Sequence, residues 1–182
     1  MTGVQTCALP IFSFGTAGAG SVSHLGVEML KSMAQVSFLH IPYKGVAPAM
    51  IGLLSGETSL MYDPVLTSMP HVKSGRIRAL AVGAAKRTPL FPELPTVAES
   101  GLPGFEASSW FGIVAPTGTP RELIHRLQSA LAKGVGEREA AQRLVSQGME
   151  PVLNAPEQFA AIIARDLPRW GKVVRDAGIK PE

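Results

Sequence analysis

The amino-acid sequence predicts an α/β layer fold with a mostly parallel sheet, on three observations. Short β-like runs alternate with helically spaced apolar residues through the first half of the chain. A glycine-rich stretch, GTAGAGS (15–21), falls between a strand pattern and a helix pattern. Of the 182 residues, 46% are hydrophobic and 17% charged, enough to form the core of one ordinary domain or two small ones.

The elements follow in order. FSF (12–14) leads into the glycine stretch, and from a Ser21 cap Val22, Leu25, Met29, Leu30 and Met33 keep helical spacing. VSFLHIPY (36–43) predicts a second strand. In GVAPAMIGLLSGE (45–57), Ala49, Met50, Leu53 and Leu54 share one helical face. TSLMYD (58–63) predicts a third strand, residues 65–74 a short helix, and IRALAVGA (77–84) the most apolar strand of all. In PTVAESG (95–101), Thr96 and Glu99 make a capping box and Gly101 stands where a C-terminal glycine belongs.

After FEASSWFGIVAP (105–116) the texture becomes helical. TPRELIHRLQSALAKG (119–134) places Thr119 at the cap, Pro120 at the first helical position, and Leu123, Ile124, Leu127 and Leu131 on a buried face. EREAAQRLVSQG (137–148) predicts a helix ending at Gly148, and MEPVLN (149–154) a short strand. Asn154, Pro156 and Glu157 then cap a long helix carrying Phe159, Ile162, Ile163, Trp170, Val173 and Val174. Pro168 interrupts that helix and predicts a kink.

Composition excludes several functions. The formal charge is +3, Lys and Arg are scattered and aromatics are few, so nucleic acid is not an expected partner. No stretch approaches the roughly 18 consecutive apolar residues of a membrane span. One cysteine, Cys7, permits no internal disulfide and no cysteine-based zinc site. The four histidines, 24, 40, 71 and 125, have no short ligand spacing, so no metal is expected.

The glycine stretch carries the strongest chemical signal. Gly15, Gly18 and Gly20 allow a tight turn and close backbone approach, and the free N–H groups of the following helix start suit a carboxylate or phosphate. Thr16 and Ser21 add hydroxyls. The pattern is neither GxGxxG, since position 23 is Ser, nor a P-loop, so no nucleotide cofactor is expected. The plain alternative is a tight βα turn with no ligand. Tyr43 and Lys44 in PYKG, and Asp63 in MYD, are expected at the same sheet edge, where open α/β sheets bind ligands. Ser21, His24 and Asp63 also suggest a hydrolase or acid–base site, but the GxSxG elbow is absent and His24 is expected on the polar helix face.

The order GTAGAGSVSHL, HIPYKGVAPAM, MYD, GRIRALAV, LPTVAESGLPGFEASSWFGIVAPTGTP and RWGKVV resembles the extracytoplasmic substrate-binding proteins of tripartite tricarboxylate transporters, also called Bug receptors, from Phe12 to about Ile179. The resemblance implies a non-enzymatic, type II-like periplasmic clamshell, monomeric at full length. Such a receptor closes on a small carboxylate-bearing solute, by a hinge near Asp63 and Trp110, and hands it to membrane permease subunits. A binding protein feeding a sensor kinase is the neighbouring alternative. It implies that Thr16, Ala17, Gly18, Gly20 and Ser21 hold a ligand carboxylate with Tyr43, Lys44 and Asp63 nearby; His24 belongs to the motif without an assigned contact. Residues 12–105 would form the complete second domain, and 106–182 a crossing strand and helices belonging to a mostly missing first domain. Apolar faces of the helices at 120–134 and 155–177 are then expected to be exposed.

Residues 1–11, MTGVQTCALPI, match the translation of a common sequencing-adapter string read from an initial GTG. They are therefore expected to be an assembly artefact. On that expectation Cys7 is not a native residue, and the missing signal peptide reflects N-terminal truncation.

Overall fold

A computed structural model describes residues 12–179, so the expectations for residues 1–11 and Cys7 lie outside the described residues. The elements are β1 (Ser13–Thr16), α1 (Val22–Ala34), β2 (Leu39–Pro42), α2 (Val46–Leu54), β3 (Leu60–Met61), α3 (Val65–Lys73), α4 (Arg121–Gly136), α5 (Arg138–Ser146) and α6 (Pro156–Asp176). The predicted α/β class holds. The strands form one parallel sheet in the order β2-β1-β3, with Phe14 opposite His40 and Leu60, and Gly15 opposite Ile41 and Met61.

Strand alternation divides the sheet into two faces. Phe14 and Thr16 point to the face covered by α1, where Phe14 is fully buried beside His24 and His40. Gly15 points to the face covered by α2. A Cβ there would lie 3.2 Å from both Thr58 Oγ1 and Tyr43 Cε2. On the α1 side a second cluster joins Met29, Phe105 and Ala107 with Tyr62, Val97, Leu102, Trp170 and Val173. Thus α6, far along the chain, packs on α1.

Residues 77–84 are not a strand. Only Val82 pairs, accepting from the Val97 N–H at 2.9 Å and donating to the Pro95 carbonyl at 2.9 Å. A strand needs a ladder partner, and β3 stops after two residues, with Pro64 offering no donor. The crossing strand expected at the start of 106–182 and the strand expected at 149–154 also run as irregular chain. Leu153 there has φ 52°, outside any strand conformation.

Two caps move. Thr119 donates its hydroxyl back to the Pro116 carbonyl at 2.8 Å, so Pro120 takes the cap of α4. Ala155, not Asn154, caps α6, its N–H bonded to Gln158 Oε1 at 2.9 Å with Pro156 at the first helical position. α6 continues through Pro168, which is exposed, so the Ala164 carbonyl left without its donor can bond water. The predicted capping box does form around 96–99, closing a turn rather than a helix: Thr96 N–H to Glu99 Oε2 at 2.8 Å, Glu99 N–H to Thr96 Oγ1 at 3.0 Å.

No residue of α4 or α5 is buried, and Leu123, Leu127 and Leu131 are exposed, as are Phe111, Ile113 and Val114. The 106–112 segment is held to α6 at several points: Glu106 pairs with Arg169 at 3.7 Å, and Trp110 meets Phe159 edge-on at 5.0 Å between centroids. Trp110 Nε1–H donates to the buried Asp166 Oδ2 at 2.8 Å, while Arg165 donates to Oδ1 at 2.7 Å. Arg165, followed by the indole, keeps the Asp166 carboxyl below its usual range.

Candidate functional site

The strand order 2-1-3 reverses between β1 and β3, and the crevice beyond the carboxyl ends of those two strands is where an open α/β sheet receives a ligand. The glycine loop after β1 and the Asp63 turn after β3 flank it. The loop turns through Gly18 (φ 134°) and Gly20 (φ 71°), conformations that side chains disfavour. Ser21 caps α1 by accepting the His24 N–H at 3.3 Å and donates its hydroxyl to the Gly18 carbonyl at 2.7 Å.

Several loop amides already have partners inside the loop. The Ala17 N–H donates to Ser23 Oγ at 3.0 Å, Gly18 N–H to Thr16 Oγ1 at 3.3 Å, and Gly20 N–H to His24 Nδ1 at 3.1 Å. Free of the helical ladder are the amides of Val22 and Ser23, the first two helical positions. An anion at this site would therefore meet the helix mouth, in a loop held rigid from beneath.

The structure brings some expected residues together and not others. Tyr43 lies beside the loop through its backbone, its N–H bonded to the Thr16 carbonyl at 3.0 Å, and Gly45 N–H reaches the Ala17 carbonyl at 3.1 Å. Its side chain does not project into the edge, contrary to expectation. The ring runs back between Gly15 and α2, where a Cβ on Gly52 would come 2.7 Å from Tyr43 Cζ. Tyr43 shares a face with Ile41, and that face belongs to α2. Lys44 is exposed in the same turn and makes no ion pair among the described residues. Asp63 follows two residues beyond Met61, the partner of Gly15, and so stands at the crevice. Its Oδ2 accepts from the hydroxyls of Ser68, at 2.6 Å, and Thr67, which shapes the entry to α3. Oδ1 is buried without a partner, and burial pushes the Asp63 carboxyl up.

His24 is buried, not on an exposed polar face. Its ring stacks on His40 at 3.9 Å between centroids, and His40 stacks on Phe14 at 4.9 Å. His40 Nε2 lies 2.7 Å from Thr16 Oγ1. His24 Nε2 faces Glu28 Oε1 at 3.6 Å, and that carboxylate also holds Lys31 at 2.6 Å. With Nδ1 occupied by Gly20, His24 makes no side-chain contact with Ser21, and Asp63 bonds elsewhere; the hydrolase constellation is not assembled. Among the described residues, no group of three or more His, Cys, Asp or Glu could hold a metal ion.

Ser23 and His40 were missing from the sequence-derived site. The alternation of β2 puts His40 on the face of Phe14, which was a usable signal; for Ser23 the one signal was its place in the first turn.

Burial pushes both imidazoles down, His40 to about 4, with the neighbouring His24 adding to that effect. The sign follows from linkage. Below about 6.5 the unfolded chain takes up protons that the folded chain refuses, so folding free energy is intact above 6.5 and declines as pH falls toward 4. Asp63, with its raised carboxyl, opposes the trend. Urea midpoints are expected to fall between pH 7 and about pH 5, and a His40→Phe variant to flatten the slope. An equal slope in the variant would contradict this.

A parallel sheet with a glycine loop at its switch point is the architecture of an α/β lobe that receives a small ligand at the sheet edge. The chain belongs to the tripartite tricarboxylate transporter family of receptors, whose family profile matches residues 10–179. It is 34% identical over 168 residues to Protein BugT of Bordetella pertussis, covering 92% of this chain and 52% of that one. Among solved structures it is similar to R. palustris Rpa4515 with adipate, at TM-score 0.83 and 38% identity, covering 94% of this chain and 57% of that one. It is similar also to MatC from Rhodopseudomonas palustris with bound malate, at TM-score 0.77 and 31% identity, covering 90% and 56%. The chain spans about half the length of most of the curated relatives it matches. The family is one of receptors, not of enzymes. No helix among the described residues is long and apolar enough to cross a membrane.

Proposed function

We propose that this chain is the ligand-gripping half of a periplasmic receptor that binds a small organic carboxylate and delivers it to the permease subunits of a tripartite tricarboxylate-type transporter. The observation that carries the reading is the open N-terminus of α1 at the β1/β3 crevice, behind a glycine loop that is internally braced. Relatives of this fold hold adipate and malate, two dicarboxylates, which supports the same chemistry here. In this reading Thr16, Ala17, Gly18, Gly20 and Ser21 shape the loop, and the helix-mouth amides receive one carboxylate. Tyr43 acts through its backbone, and Lys44 and Asp63 border the crevice. Residues 12–105 serve as the second domain, 106–182 as part of the first. Closure between them shifts an open–closed equilibrium by the ligand's differential affinity.

Titration calorimetry on the full-length receptor, against mono-, di- and tricarboxylates, tests it. A Ser21→Ala variant is expected to weaken binding roughly tenfold through the lost cap and loop bond. No heat across the whole acid panel would overturn the reading.

A further inference from the structure

We infer that His24 is a positioning residue for the glycine loop and makes the loop's geometry depend on pH. A backbone N–H can only donate, so the 3.1 Å contact from Gly20 N–H requires His24 Nδ1 to be an unprotonated acceptor. The proton of the neutral ring is then on Nε2, facing Glu28. Protonating the ring puts a second N–H at Nδ1, against the Gly20 amide, and the bond is lost.

The surroundings favour the neutral form. From α1, Glu28 faces Nε2, but Lys31 neutralises that carboxylate at 2.6 Å. From β2, His40 lies flat against the ring at 3.9 Å. β1 contributes Phe14 and Thr16, neither charged. Burial pushes His24 down in the same sense. Acidification is therefore expected to release Gly20 while α1 stays folded. The consequence for ligand affinity rests on the carboxylate reading of the loop; the loop measurement itself does not.

Amide exchange on the 182-residue chain tests it without any ligand. Between pH 7 and about pH 4.5 the Gly20 protection factor is expected to fall about tenfold beyond any fall at Met29 in α1, which reports the loss of global stability over the same range; tenfold is the factor supplied by one hydrogen bond of ordinary net strength. His24→Asn places near Nδ1 an amide oxygen that takes no proton, and should keep Gly20 protected at both pH values. His24→Leu should leave it unprotected at both. The inference is overturned by a Gly20 protection factor that ignores pH in the wild type, by one that falls equally in His24→Asn, or by loss of Met29 protection in step with Gly20. Should His24→Leu fail to fold, the wild-type and His24→Asn profiles decide the matter.

Discussion

Replacing Phe14 with alanine is expected to destabilise the chain by about 3–5 kcal/mol, the range for emptying a well-packed aromatic site. Phe14 is fully buried at the centre of β1, between β2 and β3. Its ring supports His40, which supports His24, and Lys31 Nζ lies 5.4 Å from the ring centroid on the same face. Removing the ring takes away the surface on which His40 stacks. Phe14→Leu retains most of the volume and is expected to cost about 1–2 kcal/mol. Urea unfolding with unchanged slope would measure both. A loss below about 1 kcal/mol for the alanine variant would show that Phe14 is not the keystone of this face. The loop is expected to loosen with the core, because Thr16 and Phe14 share one strand face and both lean on His40.

What was legible in the sequence was local. Ser21 as a cap, Gly18 and Gly20 as turn glycines and the Thr96–Glu99 box depend on neighbours a few residues away, and each forms where the sequence put it. Residues 77–84 read as the most apolar strand because hydrophobicity was the signal. Being a strand depends on a partner's backbone, which apolar content does not report. His24 illustrates the same limit on a helix: periodicity files histidine with the polar residues, whereas its burial is decided by His40 on another element. Tyr43 was misplaced for a different reason. Alternation along β2 already set it on the face of Ile41, away from His40, so its side chain had to run under α2. The Tyr43 backbone lies beside the glycine loop, while its ring turns away from it. Exposure of Leu123, Leu127 and Leu131 could not come from periodicity, since an apolar stripe shows what a helix can bury and not what lies against it.

Gly83→Ala is expected to cost about 1–3 kcal/mol, and part of that should disappear when Tyr62 is first changed to Phe. Tyr62 leaves the end of β3 with its ring against α1, where a Cβ on Gly26 would come 2.8 Å from Cδ1. Its hydroxyl continues past Gly83, whose missing Cβ would overlap it and would lie 2.7 Å from Cε2. The hydroxyl then donates to the Ala107 carbonyl at 2.9 Å, and the Ala107 N–H donates to the Gly83 carbonyl at 2.8 Å. Three distant segments thus close a circuit through one phenol. Burial pushes that phenol up to about 12, so it remains a donor at neutral pH and well above it. Gly83 does not adopt a positive φ, so alanine there meets only the steric term. Tyr62→Phe alone is expected to cost about 1 kcal/mol by leaving the Ala107 carbonyl with one bond fewer. Without the hydroxyl the closest overlap is gone, while the ring carbons Cε2 and Cζ, each 2.7 Å from the added Cβ, still press on it, so the two changes should be non-additive by about 1 kcal/mol. Additivity within about 0.5 kcal/mol would mean that the backbone near Gly83 yields instead of the ring. In that case the path of residues 105–107 would not be set by Tyr62. A non-additive result would make this phenol the point from which the chain is aimed across to α6, where Trp110 and Asp166 hold its next anchor.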